Sequence, residues 1–232
     1  MFVPVLPGDN VGMRRFDAAV FDFGGVMTEP IFRRPRTEDA GARLTSFFIT
    51  ETLSVYAEPT GDHDLHLLEI GRMSEADFVQ RLLARFVAAG NAPITVEDAR
   101  SALFGKGLVA CTAMVDAVAE VRAAGYRTAL LTNNVREWEA DWRGLVPVDD
   151  LFDVVVDSSV VGLRKPDLEI YRLCCRQLEV DPGRCLFVDD LRCNVEAATE
   201  LGMEVLHCTD PVAAAAEVRA LLLEPEAAGR PA

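Results

Sequence analysis

Short apolar runs, rich in β-branched and aromatic residues, punctuate this chain, and each ends in a polar cluster: AVFD at Asp22, ALLTNN at Asn134 and CLFVDD at Asp190. Uninterrupted runs of this kind read as strands covered on both faces, the habit of parallel sheets. The expected strands are 17–22, 126–131, 152–156, 185–188 and 203–206. Helical spacing separates them, at 114–124 before Gly125, from Lys165-Pro166-Asp167 through Leu178, and at 195–201 before Gly202. Strands alternating with helices imply an α/β fold with a Rossmann-like, doubly wound parallel sheet. Such sheets bind ligands beyond the carboxyl ends of their strands, so the polar clusters are expected to meet in one crevice.

The pattern changes between about residues 39 and 100. Leu, Phe and Ala recur there at helical spacing among acids, as in MSEADFVQRLLARFVAAG, where Ser74 and Asp77 resemble a capping box. Gly90-Asn91-Ala92-Pro93 stops that helix, and Thr95 with Asp98 starts another. The expected organisation is an irregular leader at 1–15, a core of 16–30 and 107–223, an inserted all-helical cap domain at 31–106, and a frayed tail at 224–232.

Charge narrows the partners. Lys and Arg total 23 against 37 Asp and Glu, a formal net charge of -14, which disfavours a nucleic acid or an anionic membrane. A small phosphate ester stays compatible, because a bound divalent cation inverts the local field. The six cysteines show no CxxC spacing and mostly sit in apolar segments, as reduced core thiols of a cytoplasmic protein do. The Pro-broken N-terminus has the wrong order for a signal peptide, and no run approaches the ~18–20 apolar residues of a membrane span.

With GLRKPD around Lys165, these segments resemble, in order and spacing, the haloacid dehalogenase-like (HAD) hydrolase superfamily. The form is that of subfamily IA, with a C1 helical cap after the first motif and a DxG-type first motif, FDFGGV. The resemblance implies a Mg²⁺-dependent phosphatase of a small phosphorylated metabolite. It makes Asp22 the nucleophile of an aspartyl-phosphate intermediate, a device that splits one hard step into two. Asp22, the backbone carbonyl of Gly24 and Asp189 would be direct metal ligands, with Asp190 nearby or acting through water, since a hard cation suits oxygen ligands. Thr132 offers a hydroxyl and Asn133 a backbone amide to phosphoryl oxygens. Lys165 supplies positive charge to Asp22 and to the developing phosphorane, and Pro166 suits the first position of the following helix. Asn194 would orient the acidic loop or cap a helix starting at Val195. Singly, Asp22 and Asp189 are ordinary turn caps, Asn133-Asn134 a turn dipeptide and Lys165 a loop lysine; their joint occurrence argues for chemistry.

One departure matters. Family phosphatases usually carry an Asp two residues past the nucleophile as general acid/base, a group worth about 10²–10⁴-fold; this chain has Gly24. Thr28, Glu29 or a group from the cap are candidate substitutes. The alternatives are a metal-independent dehalogenase-type hydrolase, or a weakly catalytic module that binds a phosphorylated ligand or a protein. Arg33, Arg34 and Arg36 read as a solvated loop, Asp62-His63-Asp64 with His66 as a helix start rather than a metal site, Gly105-Lys106-Gly107 as a return turn, and Trp138 with Trp142 as a packed helical face.

Overall fold

Five parallel strands carry the apolar runs: β1 (Ala18–Phe21), β2 (Arg127–Thr132), β3 (Val154–Asp157), β4 (Cys185–Asp189) and β5 (Glu204–His207). The computed structural model describes residues 14–30, 39–57, 63–104 and 107–224. Most of the expected leader and tail, Arg33, Arg34 and Arg36, Asp62, and Gly105-Lys106 lie outside them. The sheet order is β3-β2-β1-β4-β5, so β1 is central and the winding reverses between β1 and β4.

Alternate residues of each strand face opposite layers. Ala19, Phe21, Leu130, Leu186 and Val188 pack with α5 (Thr112–Ala123) and α11 (Pro211–Leu222). Ala18, Val20, Ala129, Leu131 and Phe187 pack with α9 (Leu168–Leu178) and α10 (Arg192–Glu200). Both faces are therefore covered, which is why these strands read as unbroken apolar runs. Short helices α6 (Glu139–Arg143), α7 (Val148–Leu151) and α8 (Ser158–Val161) fill the connections around β3.

Among the described residues, four helices stand between β1 and α5: α1 (Ala40–Ala57), α2 (Asp64–Glu69), α3 (Glu75–Ala88) and α4 (Val96–Phe104). They share an apolar cluster of their own, including Leu44, Leu68, Phe78, Leu82, Phe86 and Ala99. The expected caps form: Ser74 Oγ accepts from the Asp77 amide at 3.1 Å, and Thr95 Oγ1 from the Asp98 amide at 3.0 Å.

Three details correct the sequence reading. Pro166 does not open a helix: the Lys165–Pro166 peptide is cis, and α9 starts at Leu168 behind Asp167, whose carboxylate accepts from the Glu169 amide at 2.9 Å. Helix α10 begins at Arg192, so Asn194 lies within its first turn and caps nothing. The alanine-rich segment after Cys208 forms α11, started by Asp210, which accepts from two amides, and by Pro211.

Candidate active site

The loops after β1, β2 and β4, with the segment before α9, bring the polar clusters together. Lys165 is the centre. Its ammonium, 1% exposed, lies 2.7 Å from Asp22 Oδ1 and 2.7 Å from Asp189 Oδ2. Asp22 follows β1 and is 7% exposed; Asp189 ends β4 and is fully buried. Asp190 completes an acidic triangle in which one carboxylate oxygen from each of Asp22, Asp189 and Asp190 lies within 4.8 Å of the others.

Three carboxylates against one ammonium leave uncompensated negative charge in a low-dielectric place. Burial is the largest influence on Asp22 and lifts its carboxyl to about 6, Lys165 pulling down and Asp189 pushing up. Burial, then the charges of Asp22 and Asp189, lift Asp190 to about 8. Burial opposes the charge on Lys165, but Asp189 and Asp22 outweigh it and hold the ammonium above its usual range. This strain is what a divalent cation relieves. The residues present therefore fit a hard cation held by oxygen: a compact carboxylate triangle beside a backbone turn.

The rest of the site holds those groups still. Asn194 Nδ2 donates to both oxygens of Asp189 at 3.0 and 3.1 Å, and the Leu191 amide donates to Asp189 Oδ1 at 2.8 Å. The Tyr171 hydroxyl donates to the Asn194 carbonyl at 3.0 Å. Gly25 takes a left-handed φ of 72°, and a Cβ there would stand 2.3 Å from Asp190 Oδ2, so only glycine lets the first loop pass the acidic pair. Thr132, buried, ends β2 at the site.

Some expectations change here. Thr28 is committed to the turn, accepting from the Gly25 amide at 3.0 Å and donating to the Glu29 carbonyl at 2.9 Å, which removes it as a substitute acid. Glu29 is exposed. His63 caps α2 by accepting from the Leu65 amide at 3.2 Å, and Asp64 pairs with Arg81 and Arg85 at 2.8 and 2.6 Å, both structural uses. Trp142 packs edge-on to Phe23 at 5.2 Å, while Trp138 donates from Nε1 to Glu75 Oε2 at 3.0 Å.

Sequence reasoning missed four contributors. The Asn133 side chain, not only its amide, matters: Oδ1 accepts from the Lys165 amide at 2.8 Å and Nδ2 donates to the Lys165 carbonyl at 3.0 Å. Arg164, 8% exposed, donates from Nε to Glu69 Oε2 of α2 at 2.7 Å. Tyr56 of α1 donates to Glu69 Oε1, and the Arg164 guanidinium lies 5.5 Å from the Tyr56 ring. Only Arg164 carried a signal, through its place in GLRKPD.

A parallel sheet with these groups at its carboxyl edge is the frame of a hydrolase. The model of the haloacid dehalogenase-like hydrolase family matches residues 16–202, and the chain belongs to that family. Among curated relatives, acyl-CoA dehydrogenase family member 10 from Mus musculus is 29% identical over 91% of this chain but only 20% of its own length. Sesquiterpene phosphatase astK from Aspergillus oryzae is 34% identical over 47% of this chain and 56% of its own. The chain thus spans about a fifth to about half the length of these first relatives. A phosphorylated carbohydrates phosphatase from Thermotoga maritima is 26% identical over 90% of this chain and 95% of its own. A HAD family enzyme from Bacteroides thetaiotaomicron, crystallised with magnesium and inorganic phosphate, has a TM-score of 0.58 at 21% identity, over 83% of this chain and 93% of that one. An L-2-haloacid dehalogenase from Xanthobacter autotrophicus has a TM-score of 0.61 at 18% identity, over 93% and 92%. Both structures speak to the fold.

Proposed function

We propose that this chain is a Mg²⁺-dependent phosphatase of a small phosphorylated metabolite. In this reading residues 16–30 and 107–223 form the catalytic core, and 31–106 a cap that sets the substrate. The observation that carries it is the carboxylate triangle of Asp22, Asp189 and Asp190 closed by Lys165. Asp22, Asp189, Asp190 and the Gly24 carbonyl would hold the metal. Bound there, Mg²⁺ would offset the repulsion between an anionic nucleophile and an anionic ester.

The chain's own residues do the rest. Asp22, with its carboxyl at about 6, is ionised at neutral pH and supplies the oxygen that bonds to phosphorus as the ester P–O bond breaks. Lys165 holds that carboxylate in place and carries positive charge beside the phosphoryl oxygens as negative charge builds on them. Thr132 and the Asn133 amide donate to the same oxygens. Water then attacks the phosphorus of the aspartyl-phosphate, releasing phosphate and restoring Asp22. Asn194 acts one step removed, by fixing Asp189.

The acidic pair Asp189-Asp190 favours metal and phosphate over a dehalogenase, which has no use for it. The test is turnover of an aryl phosphate by wild type and Asp22→Asn, each with Mg²⁺ and with chelator. The expected outcome is activity in wild type with Mg²⁺ and a loss of at least about 10³-fold in either other condition, as removal of a nucleophile produces. Equal activity in the variant, or turnover of a haloacid instead, would overturn the reading.

A further inference from the structure

Lys165 is held by a closed circuit of bonds that leaves the core, passes through the inserted helix α2, where Tyr56 of α1 joins it, and returns. It begins at the Lys165 backbone, whose N–H and C=O pair with Oδ1 and Nδ2 of Asn133 at 2.8 and 3.0 Å. Tyr56 donates to Glu69 Oε1, and Glu69 Oε2 accepts from Arg164 Nε at 2.7 Å. Arg164 is peptide-bonded to Lys165. Ser158 Oγ donates to the Glu69 carbonyl at 2.6 Å while accepting from the Asn134 amide at 2.9 Å, and Asn134 is peptide-bonded to Asn133, which closes the ring.

Donors and acceptors balance around this ring. Asn133 Nδ2 gives a proton to the Lys165 carbonyl and Oδ1 takes one from its amide. Burial, then the Glu69 charge, push the Tyr56 hydroxyl well above its usual range, so it stays protonated and donates. The Glu69 carboxylate receives one bond on each oxygen, and its charge meets the Arg164 guanidinium. A buried ion pair repays its desolvation only when geometry and further hydrogen bonds are good; the ring supplies both. Arg164 Nη2 alone has no hydrogen-bond partner among the described residues.

We infer that Tyr56 and Glu69 are positioning residues for Lys165, so that docking of the inserted helices and placement of the catalytic ammonium are one event. Tyr56 acts through Glu69, and Glu69 through Arg164 and Ser158; they touch neither phosphorus nor leaving group. The role assigned to Lys165 rests on the phosphatase reading; the ring itself does not.

Tyr56→Phe removes one oxygen and keeps the ring's shape; Glu69→Gln keeps the size and removes the charge. Trp138→Phe is the control, because it breaks a different contact between the inserted helices and the core, the one to Glu75. Two readouts are taken: hydrogen exchange of the Lys165 amide, and steady-state kinetics on one aryl and one alkyl phosphate. Both ring variants are expected to speed Lys165 exchange and to lower kcat about tenfold, the weight of one hydrogen bond to a charged group. KM should stay nearly constant, the factor should be the same for both esters, and Trp138→Phe should change neither readout. Unchanged exchange at Lys165 would overturn the inference, as would a loss confined to KM or to one leaving group, or an equal loss in Trp138→Phe. If wild type hydrolyses neither ester while exchange responds as expected, the phosphatase reading fails and the ring stands.

Discussion

Gly24 and Gly25 sit side by side and have opposite significance. Gly25 needs its left-handed backbone and its missing Cβ, because Asp190 occupies that space. Gly24 is not among the residues with positive φ, so nothing in its backbone demands glycine. Thr28, committed to the turn, is not a substitute acid. The account expects Gly24→Asp to raise turnover of alkyl phosphates by about 10²-fold or more and that of activated aryl phosphates far less. Measured kcat/KM on such a pair checks this; no gain in a folded variant would show that the acid is supplied from elsewhere.

At the scale of elements, the strands were legible within one or two residues; β1, β2 and β4, buried on both faces, write themselves as apolar runs, whereas the edge strand β5 stays partly exposed. The polar ends of those runs located Asp22, Thr132 and Asp189 for the same reason. Pro166 misled, since a residue that suits a helix start equally suits the turn before one, where Asp167 takes over the capping. The Tyr56–Glu69–Arg164 connection was illegible: its members are ordinary residues, far apart in sequence, and only packing of α1 and α2 on the core joins them. The inserted helices have their own apolar cluster, in which buried Phe78 meets Phe48 edge-on at 6.2 Å. Phe78→Ala is expected to cost about 3–5 kcal/mol locally. Hydrogen exchange should show α1–α4 loosened while β1, β2 and β4 keep their protection; uniform loosening would mean that the two parts unfold as one.

For the whole molecule, the acidic site sets a pH dependence. Asp190 and Asp22 titrate at about 8 and about 6 when folded, above their ordinary carboxylate values. The folded chain thus holds more protons than the unfolded one between the ordinary range and about pH 8, and metal-free stability falls as pH rises through that window. Asp17 runs the other way: its bond to Arg184 holds it low, so its contribution is lost only in acid. Melting temperatures in chelator should rise from about pH 9 down to about pH 6, and Mg²⁺ should flatten the slope. A flat profile in chelator would contradict the repulsion inferred for the triangle. None of the described helices is long and apolar enough to cross a membrane.

The central claim is covalent chemistry at Asp22. The most direct measurement is acid quench of wild type mixed with Mg²⁺ and a phosphate ester, followed by peptide mapping of the trapped protein. The account predicts one phosphoryl group on Asp22, absent from Asp22→Asn. Turnover with no phosphoryl group at Asp22, or with one on another residue, would contradict it.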